Sequence, residues 1–294
     1  MNLKTLPFSL VDVFASEPFS GNGLSVFLLD EDLPTLAMQR ITQEMRQFET
    51  IFLRRIQETS RFIARIFTME EELMFAGHPI IGAASLLHSQ LFSNDLEYQF
   101  EFTTPEKQIL ATSYRQGEHY SAEMDQGIAS VSAPIPDEKS GIFLAALNLS
   151  SNDLAAELPM QVVSTGLPYL IVPVHRNLER ARIVIGNFED LLASVGAKFV
   201  YVLDVEHREG RTWDNDGRVE DIATGSAAGP AAVYLVIHQR ATSGENITLH
   251  QGRFLNRPSA LYATVRGNAE LSVTVSGQVF FVGNGFLRLP HSML

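Results

Sequence analysis

Two short segments of small, apolar residues constrain the fold more than any other feature of this chain of 294 residues. They are Gly77–Leu87 (GHPIIGAASLL) and Gly225–Leu235 (GSAAGPAAVYL). Apolar residues occupy nearly the whole circumference of each segment, as is typical of a helix that is buried on all sides. Both segments follow strand-like stretches. The pattern therefore predicts two helices that are each enclosed by sheet.

The two segments begin 148 residues apart, which is about half the chain. This spacing favours a remote internal duplication into two similar lobes, each with curved sheet around one central helix. Two unrelated core helices are the alternative that the spacing leaves open. A polar, proline-containing stretch at Gly127–Lys139 resembles a linker. We therefore predict an N-terminal lobe at 1–127, a C-terminal lobe at 128–284, and a tail at 285–294 that could return to the first lobe.

Most of the remaining chain has the β-branched and aromatic content of short strands separated by turns. Helical periodicity predicts an amphipathic helix at Leu33–Phe48 and short helices at Ile142–Leu147 and Phe188–Val195. The class predicted is α+β. The predicted strands are Ser9–Phe14, Leu24–Leu29, Thr50–Arg54, Ala64–Thr68, Glu72–Phe75, Glu97–Thr103, Gln108–Tyr114, Gln161–Val163, Tyr169–Val174, Phe199–Val205, Ile247–His250, Ala260–Arg266, Glu270–Ser276 and Gln278–Val282.

Composition argues against several classes of protein. The chain has 22 Lys and Arg against 34 Asp and Glu, a net charge of -12, whereas a nucleic-acid binder needs a basic face. It has no cysteine, which excludes disulfides, thiolate metal sites and cysteine nucleophiles, and is compatible with the predicted cytoplasmic location. Its longest apolar run, Ala231–Ile237, is far shorter than the roughly 20 residues that span a bilayer. We expect neither a nucleic-acid nor a membrane partner.

Several motifs occur in an order that is characteristic of one family. On these motifs the chain resembles the PhzF-like (phenazine biosynthesis) isomerase family, whose fold is that of diaminopimelate epimerase. The resemblance extends over about residues 9 to 289, and the longest motif together with the Gly-His-Pro helix start is the most specific part. The motifs are Val11–Phe14 (VDVF), Gly21-Asn22, Phe48–Thr50 (FET), Phe75–Pro79 (FAGHP), Glu220–Gly229 (EDIATGSAAG), Gln251-Gly252 and Arg257–Ser259 (RPS).

The resemblance implies a complete set of expectations. Each lobe would be a barrel-like, mostly antiparallel sheet around a central helix, starting at His78 in one lobe and near Ser226 in the other. A small carboxylate-bearing substrate would bind between the lobes of a homodimeric isomerase that uses no metal and no organic cofactor. The family's proton-transferring glutamate corresponds to Glu49, its histidine to His78, and its aspartate and serine to Asp221 and Ser226.

Glu49 and His78 also suit this chemistry on physical grounds. A carboxyl group near apolar neighbours such as Phe48 and Ile51 has a raised pKa, which suits a general acid and base. His78 precedes a proline that is favoured in the first turn of a helix, where the positive end of the helix dipole lowers a histidine pKa. The alternatives are an exposed glutamate at an element boundary and a structural histidine at a helix start.

Asp221 and Ser226 surround the start of the second helix. One of them could be a helix cap, which would explain that residue without any catalytic role. Asp221 could otherwise orient His78 or share the proton with Glu49. The N–H groups of Gly225, Ser226 and Ala227 could hold a substrate carboxylate, and Gly77 is the equivalent candidate in the first lobe.

Departures from the family pattern leave the substrate open. Gly23 and Ile222 stand where the family commonly has proline, and Arg211–Gly217 is more acidic and about one residue shorter. The leading prediction is a cofactor-independent isomerase that acts by proton transfer at Glu49. A non-catalytic small-molecule-binding or regulatory protein on the same fold is the alternative. An epimerase is less favoured, because it normally needs two bases on opposite faces of the substrate.

Overall fold

The computed structural model describes residues 3–57 and 59–290. The chain divides into two compact units, of which unit 1 is Met1–Asp125 with Ser276–Leu294 and unit 2 is Gln126–Val275. The predicted division after residue 127 lies two residues from the observed one. The returning C-terminal segment begins at Ser276 rather than at 285, since one long strand carries the chain into unit 1. Positions 291–294 of the predicted tail lie outside the described residues.

Unit 1 contains helices α1 (Thr35–Met45) and α2 (Gly77–Leu91). Its strands are β1 (Leu3–Val13), β2 (Asn22–Leu29), β3 (Glu49–Arg55), β4 (Arg61–Phe67), β5 (Glu72–Leu73), β6 (Glu97–Thr103), β7 (Gln108–Gln116), most of β8 (His119–Ile128) and most of the last strand, β16 (Ser272–Pro290).

The strands of unit 1 follow the order β1-β2-β3-β4-β6-β7-β8, and β1 pairs with β16 on its other side. Helix α2 is buried from Gly77 to His88, which confirms the predicted core helix. A Cβ atom on Gly82 would lie 2.6 Å from Leu24 Cδ2 and 2.8 Å from Val13 Cγ2. The absence of a side chain at Gly82 therefore lets α2 lie directly against β1 and β2.

Unit 2 contains helices α3 (Asp137–Ala146), α4 (Phe188–Ala193) and α5 (Gly225–Ile237). Its strands are β9 (Ser130–Pro134), β10 (Gln161–Ser164), β11 (Pro168–Val174), β12 (Phe199–Asp204), β13 (Glu209–Arg211), β14 (Asn246–Gln251) and β15 (Ser259–Arg266).

The strands of unit 2 follow the order β15-β14-β13-β12-β11-β10-β9. Helix α5 is buried along most of its length, which confirms the second predicted core helix. The amide oxygen of Gln126 fills the space that a Cβ atom on Gly229 would occupy. Gln126 is itself fixed, because Thr165 Oγ1 donates a hydrogen bond of 2.9 Å to its Oε1.

Two expectations about secondary structure need correction. Helix α1 is shorter than predicted, because it starts after Pro34 and ends at Met45, and the next residue, Arg46, has a left-handed φ of 54°. The predicted linker contains strand β9, which pairs with β10, and the first residues of α3. Most strand pairs among the described residues are antiparallel, as predicted, and the parallel pairs β2–β3, β4–β6, β11–β12 and β13–β14 make the sheet mixed. The chain has an α+β fold with a large mixed sheet and few helices.

No helix among the described residues combines the length and the apolar character that crossing a membrane requires.

Candidate active site

Glu49 is the first residue of strand β3. Helix α1 ends at the left-handed Arg46, so the chain turns and enters β3 in parallel register with β2, where Glu49 lies opposite Leu24. Leu24 also contacts the position of Gly82 on α2, so this face of the sheet is the one that α2 covers. The Glu49 side chain is only 8% exposed. Register and burial together place a carboxyl group in the interior of unit 1.

His78 is the second residue of α2, and its side chain is 4% exposed. The residue before the helix, Ala76, supplies no side-chain cap, so the start of α2 carries no competing polar side chain at that position. Nδ1 of His78 lies 3.4 Å from Oε2 of Glu49. The structure thus brings these two sequence-predicted residues together within unit 1.

Burial lowers the pKa of His78 to about 3. The imidazole is therefore neutral at pH 7, with one N–H donor and one lone pair. Its second nitrogen, Nε2, is buried and has no hydrogen-bond partner in the described part of the chain. A neutral imidazole whose Nδ1 faces a carboxylate can orient that carboxylate or exchange a proton with it.

Asp12 is a further buried acid of unit 1 that the sequence-based site omitted. It lies on β1 opposite Gly23 of β2, and its Oδ2 accepts a hydrogen bond of 2.7 Å from the N–H of Phe19. The signal in the sequence was a charged residue between the apolar Val11 and Val13, since an ionisable group is rarely buried in a strand unless it is paired.

Asp221 lies in unit 2, before α5, and it is not the helix cap that the sequence suggested. The N-cap position is Thr224, which makes no side-chain cap hydrogen bond. The carboxylate of Asp221 instead accepts a hydrogen bond of 2.6 Å from Thr224 Oγ1 and a longer one, 3.4 Å, from the N–H of Ala223. These contacts tie the carboxylate to the loop before α5.

Gln251 fixes this loop, and the sequence-based site omitted it as well. Its Nε2 donates to the carbonyl oxygen of Asp221 (2.8 Å) and to Thr224 Oγ1 (3.0 Å). Its Oε1 accepts from the N–H of Thr224 (3.2 Å). The motif Gln251-Gly252 was visible in the sequence, but its partners were not. A buried amide thus ties the approach to α5 to the end of β14.

Ser226 is partly exposed, whereas its neighbours in α5 are buried. Its hydroxyl lies 2.8 Å from the hydroxyl of Tyr169, a residue of β11 that is 3% exposed. The neighbouring Tyr201 is also buried, and burial together with the nearby Asp221 raises its pKa. Sequence reasoning missed both tyrosines, because an aromatic residue in a buried strand looks like ordinary core.

The backbone N–H groups that are candidates for binding a substrate carboxylate differ in the hydrogen bonds that they already make. The N–H of Ala227 donates to the carbonyl of Thr224 (3.0 Å) and is engaged within the first turn. Gly225 accepts, through its carbonyl oxygen, a hydrogen bond of 2.8 Å from Gln126. Gly77 is buried at the first position of α2. The first N–H groups of a helix lack partners within the helix, so Gly225 and Ser226 are the better placed donors in α5.

Within residues 3–57 and 59–290, no three His, Asp or Glu side chains are grouped closely enough to hold a metal ion.

Comparison with known proteins relates the chain to one family. The model of the phenazine biosynthesis-like proteins, PhzC-PhzF, matches residues 11–285. A trans-2,3-dihydro-3-hydroxyanthranilate isomerase of Pseudomonas fluorescens is 32% identical over 96% of this chain and 99% of its own. The trans-2,3-dihydro-3-hydroxyanthranilate isomerase of Pseudomonas aeruginosa is 31% identical over 95% of this chain and 99% of its own.

Solved structures agree with this relationship. A predicted epimerase from Pseudomonas aeruginosa is 49% identical, with a TM-score of 0.90, over 96% of this chain and 99% of its own. A hydroxyproline epimerase from Agrobacterium vitis, at 14% identity and a TM-score of 0.64, shares the fold alone.

Proposed function

The chain belongs to the phenazine biosynthesis-like (PhzC-PhzF) family and is an isomerase, and from this premise we propose that it moves a proton within a small carboxylate-bearing molecule, with Glu49 as acid and base. The observation that carries the proposal is the buried contact of 3.4 Å between Glu49 Oε2 and His78 Nδ1. A carboxyl group next to a neutral imidazole can hold or release a proton without a metal or an organic cofactor.

The proposed reaction balances without a co-reactant. The Glu49 carboxylate removes a proton from a carbon of an unsaturated or cyclic acid, and the electrons of the broken C–H bond enter the conjugated system of the substrate. The protonated Glu49 then returns the proton to another carbon of that system, so a double bond changes position and the formula stays the same. Buried surroundings favour this cycle, because they exclude bulk water and strengthen the electrostatic interactions within the site.

His78 would keep Glu49 in the protonation state that each half of the reaction needs. With its proton on Nδ1, the imidazole donates toward an ionised Glu49. With its proton on Nε2, it offers a lone pair to a protonated Glu49. Because burial keeps His78 neutral, either tautomer can contact Glu49 without a buried imidazolium.

The proposal also takes over the remaining expectations from the family. Units 1 and 2 would each be a barrel-like lobe around α2 or α5. Gly77, Gly225, Ser226 and Ala227 would bind the substrate carboxylate, and Asp221 would assist the proton transfer. The engaged N–H of Ala227 makes Ser226 the preferred residue for a test. Assembly as a homodimer and a cytoplasmic location stay predictions, of which the first is accessible to analytical ultracentrifugation.

The test is proton exchange in heavy water with trans-2,3-dihydro-3-hydroxyanthranilate as the first probe, since relatives of this chain are named for that compound. Other cyclic dienoic and amino-hydroxy carboxylates would follow. We expect wild type to incorporate deuterium and to form the isomer, and Glu49→Gln to lose at least about 100-fold in rate. Glu97→Gln is the matched control, because Glu97 is also the first residue of a strand but is exposed. Turnover retained by Glu49→Gln would contradict the proposal.

Epimerisation is the second candidate, and the 49% identical structure described as a predicted epimerase favours it. An epimerase that uses two bases would invert a stereocentre, so a single enantiomer of an amino acid or hydroxy acid would lose its optical rotation. The Glu49–His78 pair lies on one side of any bound molecule that contacts it, which suits removal and return of a proton on the same face. Polarimetry on the probes would separate the two candidates.

A non-catalytic binding or regulatory role, the alternative from the sequence, has less support, because curated relatives along nearly the whole chain are named isomerases.

A further inference from the structure

The hydroxyl groups of Tyr169 and Ser226 form a hydrogen bond of 2.8 Å in unit 2. Tyr169 is almost completely buried, whereas Ser226 is the partly exposed residue at the start of an otherwise buried helix. A buried tyrosine usually bonds its hydroxyl to a backbone group or to another core side chain. Here the hydroxyl points to the one side chain of the first turn of α5 that reaches the surface.

The ring of Tyr169 is held on more than one side. Tyr169 is in register with Val163 of β10 and with Phe199 of β12, and its ring centroid lies 5.5 Å from that of Phe199. A phenol held between two strands has little rotational freedom. Its hydroxyl is therefore a fixed point against which the flexible serine hydroxyl can be oriented.

We infer that Tyr169 is a positioning residue, which orients the Ser226 hydroxyl so that Ser226 donates its proton to a carboxylate of the substrate. The phenol is the more acidic hydroxyl and therefore the better donor, so Tyr169 donates to Ser226 Oγ. The proton of Ser226 is then directed away from Tyr169 and is available to an anion. Without the phenol, a serine in the first turn competes for nearby backbone groups instead.

The inference rests on the proposed function only in that it takes a carboxylate as the ligand of Ser226. Its test compares four variants, namely Tyr169→Phe, Ser226→Ala, the double variant and Tyr234→Phe. Tyr234→Phe is the matched control, since the buried Tyr234 also loses one hydrogen bond, of 2.7 Å to the carbonyl of Pro159. Each variant is checked by circular dichroism and thermal unfolding. KM and kcat are measured with trans-2,3-dihydro-3-hydroxyanthranilate, and the Kd of anthranilate by calorimetry.

We expect Tyr169→Phe to raise KM and the Kd of anthranilate roughly 3- to 10-fold, the range that one neutral hydrogen bond supports. kcat should change by less than about twofold, because uniform binding is lost and not stabilisation of the transition state. The double variant should match Ser226→Ala, since Tyr169 acts through Ser226. Tyr234→Phe should leave KM and Kd unchanged despite a comparable loss of thermal stability.

Wild-type KM and Kd in Tyr169→Phe would overturn the inference, as would equal effects of Tyr169→Phe and Tyr234→Phe. If Glu49→Gln keeps its turnover while Tyr169→Phe weakens binding, the proton-transfer proposal fails and the positioning role stands. If Glu49→Gln is inactive while Tyr169→Phe behaves as wild type, only the positioning role fails. Wild type that converts none of the carboxylate probes and does not bind anthranilate would contradict both.

Discussion

Nδ1 of His78 lies 3.4 Å from Oε2 of Glu49, and both side chains are buried in unit 1. An ionised imidazole would be stabilised by the carboxylate but destabilised by the loss of water, and the second effect dominates here, because the pKa of His78 falls to about 3. The His78 imidazole is therefore neutral and does not form a charged ion pair with Glu49. The stability of the protein should therefore depend on pH through His78.

The free energy of unfolding should decrease as the pH falls below 6.5. The folded pKa of His78 is lower than the unfolded one, so between about pH 6.5 and pH 3 the unfolded state binds a proton that the folded state does not. His78 should contribute a loss of about 2 kcal/mol between pH 7 and pH 5. Urea unfolding at both values, with wild type and His78→Gln, measures this difference, which the variant should lack.

Carbon-13 NMR of labelled histidine gives an independent measurement on the wild-type protein. The ring signals of His78 should stay those of a neutral imidazole from pH 8 to pH 5. A titration midpoint near 6.5 would show that burial does not exclude the charged form.

Adding one methyl group to α2 should lower the free energy of unfolding, whereas adding one to α3 should raise it. Gly82→Ala inserts a Cβ atom between the side chains of Leu24 and Val13 and should destabilise the protein by about 1–3 kcal/mol. Gly141→Ala in α3 meets nothing within 4 Å, and should stabilise it by up to about 1 kcal/mol through helix propensity. Chemical unfolding of both variants measures these changes in stability. Equal effects would mean that α2 does not pack against β1 and β2 as described.

The buried ion pair of Arg211 and Glu220 should contribute far more to the stability of the protein than an exposed ion pair does. Arg211 Nε and Nη2 bind the two carboxylate oxygens of Glu220 at 2.8 and 2.6 Å, and both side chains are 9% exposed. Arg211→Met leaves a buried carboxylate without its cation and should cost about 3–5 kcal/mol. Arg61→Met, which removes a partly exposed pair with Glu101, should cost less than about 1 kcal/mol. Comparable losses in urea unfolding would contradict the burial of the first pair.

The hydroxyl of Thr224 should be more important than its methyl group. Thr224→Val keeps the shape but removes the donor to Asp221 and the acceptor for Gln251, so buried polar atoms lose a partner. We expect a loss of about 1–3 kcal/mol in stability together with a lower kcat/KM. Thr224→Ser keeps the hydroxyl and should stay close to wild type in both measurements. If the two variants behave alike, the hydroxyl is not what orders the loop before α5.

Local pattern was sufficient for several features. The small, apolar segments that begin at Gly77 and Gly225 form helices at those residues, because a helix that is apolar on every side has only the interior as a stable location. Glu49 begins a strand where the helical pattern of the preceding segment gives way to a strand pattern. These properties depend on neighbours within a few residues, which the sequence displays directly.

Local sequence pattern gave wrong predictions where residues distant in the chain determine the structure. The proline-containing stretch at 130–134 is a strand, since β10 supplies its hydrogen bonds from about 30 positions further along the chain. Asp221 has the spacing of a cap but bonds to Thr224, because Gln251 from the end of β14 holds the loop in a different conformation. Sequence spacing contains no information on such partners.

The sequence by itself determined the family, the two buried helices and the candidates Glu49, His78, Asp221 and Ser226, because motifs and periodicity are properties of continuous segments. Only the tertiary structure decided that the Glu49 carboxyl lies beside His78 Nδ1 and that Tyr169 reaches Ser226. Both contacts join residues far apart in the chain, and both depend on strand register and on how closely a helix approaches the sheet. Register and packing distance arise from the whole core at once, so no single segment encodes them.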